Sequence, residues 1–230
     1  MESNQNWIVI SLGGSLVCPD RVDGQYVKSF VELVKKGAES GNSFAIITGG
    51  GRVAREYRDA LIVGGINDSF VQDLMGIDAT RYNANLLKYS FGDLAESEIF
   101  FDPEKLSLTG KKILVGGGWK PGFSSDGASV ALAQALKAKK LINLSNIDYV
   151  YTADPRKNPD AVKIEKINWV DFCELLPKDW KPGMSAPFDP IAAKMAEGLG
   201  LEVVVMNGAN LSNLENYIQG KEFLGTIIKN

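Results

Sequence analysis

The stretch IITGGGRVAREY, residues 46–57, decides the fold, because an apolar run ends in three glycines and helical sequence follows them. The run SFAIIT (43–48) has the length and the β-branched content of a buried strand. Two more apolar runs end in the same way, in VISLGGSL (9–16) and ILVGGGWKPG (113–122). Since ligands bind at the carboxyl ends of strands in open α/β sheets, these three loops mark a candidate site.

Strands and helices alternate along the chain, and the strands are continuous apolar runs, which is typical of a sheet covered on both faces. We therefore predict an α/β fold, a three-layer sandwich with a central, mainly parallel sheet. The predicted strands are 7–12, 43–48, 111–117, 140–145 and 201–208, with 147–152 extending one or pairing nearby. The predicted helices are 25–40, 53–60, 69–91, 126–138, 189–200 and 210–220.

The length of 230 residues suits one domain, which we expect to have two lobes, about 1–110 and about 111–230. A net charge of -3 gives no electrostatic case for nucleic acid as a partner. No apolar run approaches the roughly 20 residues of a membrane span. The polar start MESNQN shows no signal peptide, and two isolated cysteines fit a reducing cytoplasm.

The chain contains no His, which removes Ser-His-Asp and Cys-His catalysis and makes a zinc site implausible. We predict no protein metal site. The absence of His therefore favours reactions that are driven by positioning and charge neutralisation. Glycine loops at strand ends suit such chemistry, since their N–H groups can approach a polyphosphate closely. The structural alternative is three tight turns, and neither G-x-G-x-x-G nor the P-loop pattern is present.

Three charged residues near the predicted loops are candidates for this chemistry. Arg55, in the first turns after the second loop, could clamp a phosphate, or could be a surface residue. Lys194 in the 189–200 helix has the same two interpretations. Asp126 follows the third loop within SSD (124–126), and could either organise the reaction or only cap the next helix.

At this point the sequence resembles the amino acid kinase superfamily, and within it the archaeal type of uridylate (UMP) kinase. The most specific elements are VYTADPRKNPDA (150–161) and the pattern D-x-x-G-x-x-A-T at 73–80. The ordered segments are LGGSL (12–16), GGGRVAREY (49–57), DLMGIDATRYNANLL (73–87), GGWKPGFSSDGASVALA (117–133), SNIDYVYTADPRKNPDAVKI (145–164) and DPIAAKMAE (189–197).

The resemblance implies transfer of the γ-phosphoryl group of ATP to UMP, with Mg²⁺, in pyrimidine nucleotide synthesis. It implies catalytic roles for Gly14, Arg55, Asp126 and Lys194. It places UMP against Gly49, Gly50, Arg55, Asp73, Trp119, Gly122, Phe123, Ser124 and Ser125. It places ATP against Ser11, Gly13, Gly14, Ser15, Gly50, Ser145, Asn146, Tyr151 and Asp154.

The chain departs from the superfamily pattern at three positions: Ser11 stands where many members have Lys, Tyr149 where Gly is usual, and Trp119 enters the acceptor loop. Two alternatives follow: another kinase of the superfamily, such as isopentenyl phosphate, carbamate or acetylglutamate kinase, or a non-catalytic nucleotide- or oxyanion-storage protein. The resemblance also implies a homo-oligomer, a hexamer built as a trimer of dimers.

Overall fold

The computed structural model describes residues 6–177 and 186–230, and this part of the chain forms nine strands and eight helices. The strands are β1 (Trp7–Leu12), β2 (Ser43–Thr48), β3 (Ile113–Gly116), β4 (Lys140–Ser145), β5 (Val150–Tyr151), β6 (Lys163–Ile164), β7 (Lys166–Ile167), β8 (Glu202–Asn207) and β9 (Thr226–Ile228). The helices are α1 (Gly14–Val17), α2 (Gly24–Glu39), α3 (Gly51–Val63), α4 (Ser69–Phe91), α5 (Ser125–Ala135), α6 (Trp169–Leu175), α7 (Pro190–Gly198) and α8 (Leu211–Ile218). Two 3-10 turns lie at Gly92–Leu94 and Pro103–Lys105.

Seven strands form the central sheet in the order β3-β2-β1-β4-β8-β9-β7. The first five are parallel, β9 runs antiparallel to β8, and β7 runs parallel to β9. A separate antiparallel pair, β5 and β6, carries the 147–152 stretch. The carboxyl ends of the five parallel strands therefore share one edge of the sheet, where the glycine loops begin.

Two hydrophobic layers cover the sheet, one on each face. Along β1, Val9 points into one core and Ile10 into the other, because side chains alternate between the faces of a strand. Helices α5, α6 and α7 pack on the first face, with Trp169 fully buried. Helices α2, α4 and α8 pack on the second face, around Phe30 and Leu87. The predicted three-layer α/β sandwich is confirmed.

Several predicted boundaries differ from the observed ones. Helix α3 is longer than the predicted 53–60, since it begins directly at Gly51 and continues to the glycine cap at Gly64. Sequence analysis also missed α6, which Asn168 caps by accepting a hydrogen bond from the Asp171 N–H. No helix in the described ranges is long and apolar enough to cross a membrane. The start of MESNQN, residues 1–5, lies outside the described residues.

Candidate active site

The first two glycine loops touch backbone to backbone at the ends of β1 and β2. A Cβ on Gly14 would lie 2.2 Å from the Gly51 nitrogen and 2.5 Å from the Gly49 carbonyl carbon. Gly51 also has a φ of +62°, a conformation that glycine adopts without strain. Packing and backbone geometry together therefore require glycine at this contact.

These loops supply N–H groups suited to an anion. Helix α3 begins at Gly51, so the positive end of its dipole lies beside the first loop, where the Arg52 N–H already donates to the Cys18 carbonyl at 2.9 Å. The N–H groups of Gly14 and Gly50 have no hydrogen-bond partner among residues 6–177 and 186–230. The site thus offers backbone donors that folding has left unused.

A cavity of about 290 Å³ opens next to these loops. Its walls come from three elements: Gly49 and Gly50 with Arg55 and Arg58 of α3, Asp73, Gly76, Ile77 and Thr80 of α4, and Gly118 with Phe123–Ser125 of the third loop. One wall is cationic, one carries a carboxylate and one is aromatic. This combination matches the phosphate, ribose and base of a nucleotide.

Helix α4 fixes the third loop in place through two hydrogen bonds. The Gly118 N–H donates to the Thr80 hydroxyl at 2.6 Å, and the Gly122 N–H donates to the Asp73 carboxylate at 2.9 Å. The Thr80 hydroxyl in turn donates to the Ile77 carbonyl at 2.6 Å. One oxygen of Asp73 therefore holds the loop, while the residue still lines the cavity.

Arg55 lies at the entrance of the cavity, where it bridges α3 to the first loop. Its guanidinium donates to the Ser15 hydroxyl at 3.3 Å and to the Pro19 carbonyl at 3.5 Å. Arg58, one turn further along α3, lines the same cavity and pairs with Asp59 at 3.2 Å. Two guanidinium groups thus face the space beside the glycine loops.

A buried polar cluster surrounds Asp126 at the carboxyl ends of β1 and β4. Its carboxylate accepts from the Ser11 hydroxyl at 2.9 Å, from the Asp189 N–H at 3.1 Å and from the Asn143 amide at 3.4 Å. Burial raises the pKa of the Asp126 carboxyl to about 6, and the charge of Asp189 adds to the rise. A raised pKa in a hydrogen-bonded cluster is typical of functional sites.

This geometry corrects one alternative from the sequence. Asp126 does not cap α5: the cap is Ser124, whose hydroxyl accepts from the Gly127 N–H at 3.1 Å. Asp126 lies inside the first turn and points to Ser11 of β1, which is 115 positions away in sequence. Ser11, which stands where many superfamily members have Lys, is thus buried and bound to Asp126.

Comparison with known proteins identifies the family of this chain. The sequence model of the Amino acid kinase family matches residues 6–207. The chain belongs to the amino acid kinase family. Curated relatives include the uridylate kinase of Pyrococcus abyssi, 35% identical over 93% of this chain and 96% of the relative. The uridylate kinase of Methanobrevibacter smithii is 36% identical over 94% and 96% of the respective chains.

Solved structures give the same result for the fold of this amino acid kinase family member. The crystal structure of uridylate kinase from Archaeoglobus fulgidus superposes with a TM-score of 0.83 at 30% identity, covering 96% of this chain and 99% of that one. UMP kinase from Bacillus anthracis superposes with a TM-score of 0.78, covering 97% and 96%. At 18% identity that second likeness supports the fold alone.

The residues that the family resemblance assigned to ATP lie in three places: at the ends of β1 and β2 (Ser11, Gly13, Gly14, Ser15 and Gly50), at the end of β4 (Ser145 and Asn146), and in or after β5 (Tyr151 and Asp154). Ser145 ends β4, and its carbonyl accepts from the Gly208 N–H at 2.8 Å, which joins the two strand ends. Asn146 is exposed beside it, and Tyr151 lies in β5. The Asp154 carboxylate forms a local ion pair, since Arg156 donates to both of its oxygens at 3.0 Å.

Tyr149 does not adopt the left-handed backbone that the usual glycine would permit, since the one described non-glycine residue with positive φ is Lys137. The Tyr149 ring is nearly buried, and the Lys163 ammonium lies 4.8 Å from its centre. The turn before β5 therefore accepts a side chain without backbone strain.

Lys194, the fourth predicted catalytic residue, lies in α7, the helix whose cap residue Asp189 donates its N–H to Asp126 at 3.1 Å. It lies on the exposed side of α7, and its charge acts on the Cys173 thiol of α6. Among the described residues it has no hydrogen bond or ion pair with the glycine loops. Its catalytic role stays a prediction.

Sequence analysis missed several residues that line the cavity, among them Arg58 and Thr80. Arg58 follows Arg55 by three positions, so the helical period could have placed both on one face of α3. Thr80 closes the D-x-x-G-x-x-A-T pattern, but its partner Gly118 is 38 positions away, a contact that no local pattern announces. The predicted UMP residues on the cavity walls are Gly49, Gly50, Arg55, Asp73, Phe123, Ser124 and Ser125, whereas the predicted Trp119 and Gly122 do not line the cavity.

Proposed function

We propose that this chain is a UMP kinase, which transfers the γ-phosphoryl group of ATP to UMP and releases UDP and ADP. The observation that carries the proposal is full-length similarity to uridylate kinases, at about 35% identity, joined to a cavity with nucleotide-like walls. We assign the cavity to UMP, the Asp126 cluster to the reaction centre, and the ends of β4 and β8 to ATP.

Within this proposal, UMP lies with its phosphate at the glycine loops. The N–H groups of Gly14 and Gly50 and the guanidinium groups of Arg55 and Arg58 neutralise phosphate charge. One oxygen of Asp73 accepts from the ribose hydroxyls while the other keeps the Gly122 N–H. The Phe123 side of the cavity receives the uracil.

The chemistry requires no protein base. A phosphate monoester has a second pKa near ~6, so the UMP phosphate is largely dianionic at pH 7 and is itself the nucleophile. A UMP phosphate oxygen forms a bond to the γ-phosphorus while the bond from that phosphorus to the β–γ bridging oxygen breaks. The electron pair leaves with ADP. Positioning and charge stabilisation supply the catalysis, and neither needs His.

The proposal includes Mg²⁺ carried by the phosphates of ATP. The described ranges contain no group of three or more Cys, Asp, Glu or His side chains that could hold a metal ion by themselves. Mg²⁺ commonly binds through substrate phosphates and water, so the proposal needs no such group. When bound, Mg²⁺ neutralises charge on the phosphates. Asp126 then organises Ser11 and the start of α7 around the transferring group.

We also propose a cytoplasmic homo-oligomer, a hexamer assembled as a trimer of dimers. Exposed apolar side chains on α3 and α4 support a dimer contact, since Tyr57, Phe70, Tyr82 and Tyr89 are each more than half exposed. We further propose one domain with an acceptor half, about 1–110, and an ATP half, about 111–230. The third loop crosses this division to complete the acceptor cavity.

The test is release of ADP from ATP and Mg²⁺ with a panel of acceptors: UMP, CMP, dTMP, AMP, isopentenyl phosphate and acetylglutamate. We expect turnover with UMP to be at least tenfold faster than with any other acceptor. Faster turnover with another acceptor would keep the family and overturn the substrate. ATP binding without turnover of any acceptor would favour a storage protein.

A further inference from the structure

The turn at the rim of the acceptor cavity carries an aromatic and cationic cluster, Trp119, Lys120 and Phe123. Pro121 and Gly122 form the turn, closed by the Phe123 N–H donating to the Lys120 carbonyl at 3.1 Å, with Gly122 at φ +86°. Pro followed by Gly is the sequence that such a turn favours. The turn brings the side chains on either side of it together.

The three side chains of the cluster contact one another closely. The rings of Trp119 and Phe123 have centroids 4.8 Å apart at an angle of 57°, a tilted aromatic pair. The Lys120 ammonium lies 3.7 Å from the Trp119 ring centre and 5.0 Å from that of Phe123. Two aromatic faces thus share one cation.

Only one member of the cluster reaches the cavity. The described residues on the cavity walls include Phe123 but neither Trp119 nor Lys120. The Trp119 ring packs instead against the core on the α5 side of the sheet, with Phe100 and Leu106. Nearby Asp102 pairs with Lys105 at 3.4 Å, and its pKa is lowered chiefly by the Glu104 N–H, with a smaller contribution from the Trp119 side chain.

Helix α5 also restrains Phe123. A Cβ on Gly127 would lie 3.1 Å from Cδ1 of Phe123, so the ring rests directly on the first turn of the helix. Trp119, Lys120 and Gly127 therefore all pack against the Phe123 ring. Such a ring is ordered before the ligand arrives, which lowers the entropic cost of stacking on it.

We propose that Phe123 is the stacking surface for the base of the acceptor nucleotide, and that Trp119 and Lys120 are positioning residues that hold it. The inference rests on the proposed UMP site. It gives Trp119 a function outside the cavity, in place of the direct UMP contact that the family resemblance implied. The ligand class is an aromatic base joined to a sugar phosphate.

The test measures how much the base contributes to binding. Calorimetry gives the dissociation constants of UMP and of ribose 5-phosphate, which lacks the base. The ribose 5-phosphate constant divided by the UMP constant measures how much the base contributes to binding. Base stacking on an aromatic ring predicts that Phe123→Ala lowers the ratio roughly 5- to 100-fold. The aromatic pair predicts a roughly 2- to 10-fold loss for Trp119→Ala, with recovery in Trp119→Phe.

Lys120→Met keeps the side-chain stem and removes the charge, so we expect a roughly 2- to 5-fold loss. Lys140→Met is the matched control, because Lys140 lies 5.8 Å from the Tyr217 ring centre at the amino end of β4. In the Phe123, Trp119 and Lys120 variants KM for UMP rises while kcat and KM for ATP stay within twofold, and Lys140→Met changes none of the three. Thermal denaturation checks that the variants are folded.

Two results would overturn the inference: an unchanged ratio in Phe123→Ala, or a Trp119→Ala variant that binds ribose 5-phosphate and UMP as the wild type does. Failure of the proposed function looks different. In that case the wild type fails to convert UMP in the ADP assay, whereas the binding ratio still reports on the stacking surface.

Discussion

Replacing Asp126 by Asn tests the buried cluster most sharply, because it should increase stability while it removes activity. The carboxyl pKa is raised from 3.8 to about 6, chiefly by burial. Between these two values the unfolded chain loses its proton while the folded chain keeps it. Stability therefore falls as the pH rises through this window, and the full cost remains at higher pH.

The magnitude follows from the shift. A difference of about two pKa units corresponds to about 3 kcal/mol at pH 7.5, whereas at pH 4 the cost is below about 1 kcal/mol. Asn resembles the neutral acid and can still accept one hydrogen bond. We therefore expect Asp126→Asn to gain about 2 kcal/mol of unfolding free energy at pH 7.5 relative to pH 4.

The assay is urea unfolding at both pH values and one fixed protein concentration, followed by fluorescence of the buried Trp7 and Trp169. Asp93→Asn, at an exposed carboxylate after α4, is the matched control and should show no such difference. We expect kcat to fall by about 100-fold or more in the same variant, as for the loss of a preorganised group. An equal effect of Asp126→Asn on stability at both pH values would refute this reasoning.

Three further predictions follow from contacts at the site. Gly14→Ala places its Cβ 2.2 Å from the Gly51 nitrogen, so we expect the free energy of unfolding to fall by about 3 kcal/mol or more and turnover to be lost. Gly24→Ala, with open space at its Cβ, is the control and should unfold like the wild type. Equal denaturation midpoints for the two variants would contradict the packing. Arg55→Met should raise KM for UMP about 10- to 100-fold and Arg58→Met about 3- to 10-fold, measured by ADP release, while Arg52→Met, on the same helix but paired with Asp20 and Glu56, should change it less than twofold. Lys194→Met should lower kcat/KM for ATP about tenfold or more, measured by ADP release, because the sequence predicts that this exposed ammonium neutralises charge on the ATP phosphates; a change below threefold would contradict that role.

Much of the fold was readable from local pattern. Helix α4 and strands β1 and β2 have the predicted bounds, because a buried strand or a long helix carries its periodicity within itself. The glycine loops were predictable for the same reason, since GGG after an apolar run is a local signal. The short strands β6, β7 and β9 were not predicted, because two or three residues carry no period.

The same distinction between local pattern and long-range packing applies to the site. Arg55 and Asp73 stand in recognisable motifs, and the structure brings both to one cavity. The partnership of Ser11 with Asp126 and that of Thr80 with Gly118 depend on how strands and helices pack, which a single sequence does not encode locally. The position of Trp119 is similar: its place in the acceptor loop was visible, but its direction away from the cavity depends on Asp102 and the core.

The most direct test of the central claim follows the phosphoryl group itself. The protein is incubated with UMP, Mg²⁺ and ATP that is labelled in its γ-phosphoryl group, and the products are separated. The account predicts UDP with the label in its β-phosphoryl group, formed in equal amount to ADP. Label that stays in ATP, or that appears as inorganic phosphate with no labelled UDP, would contradict it.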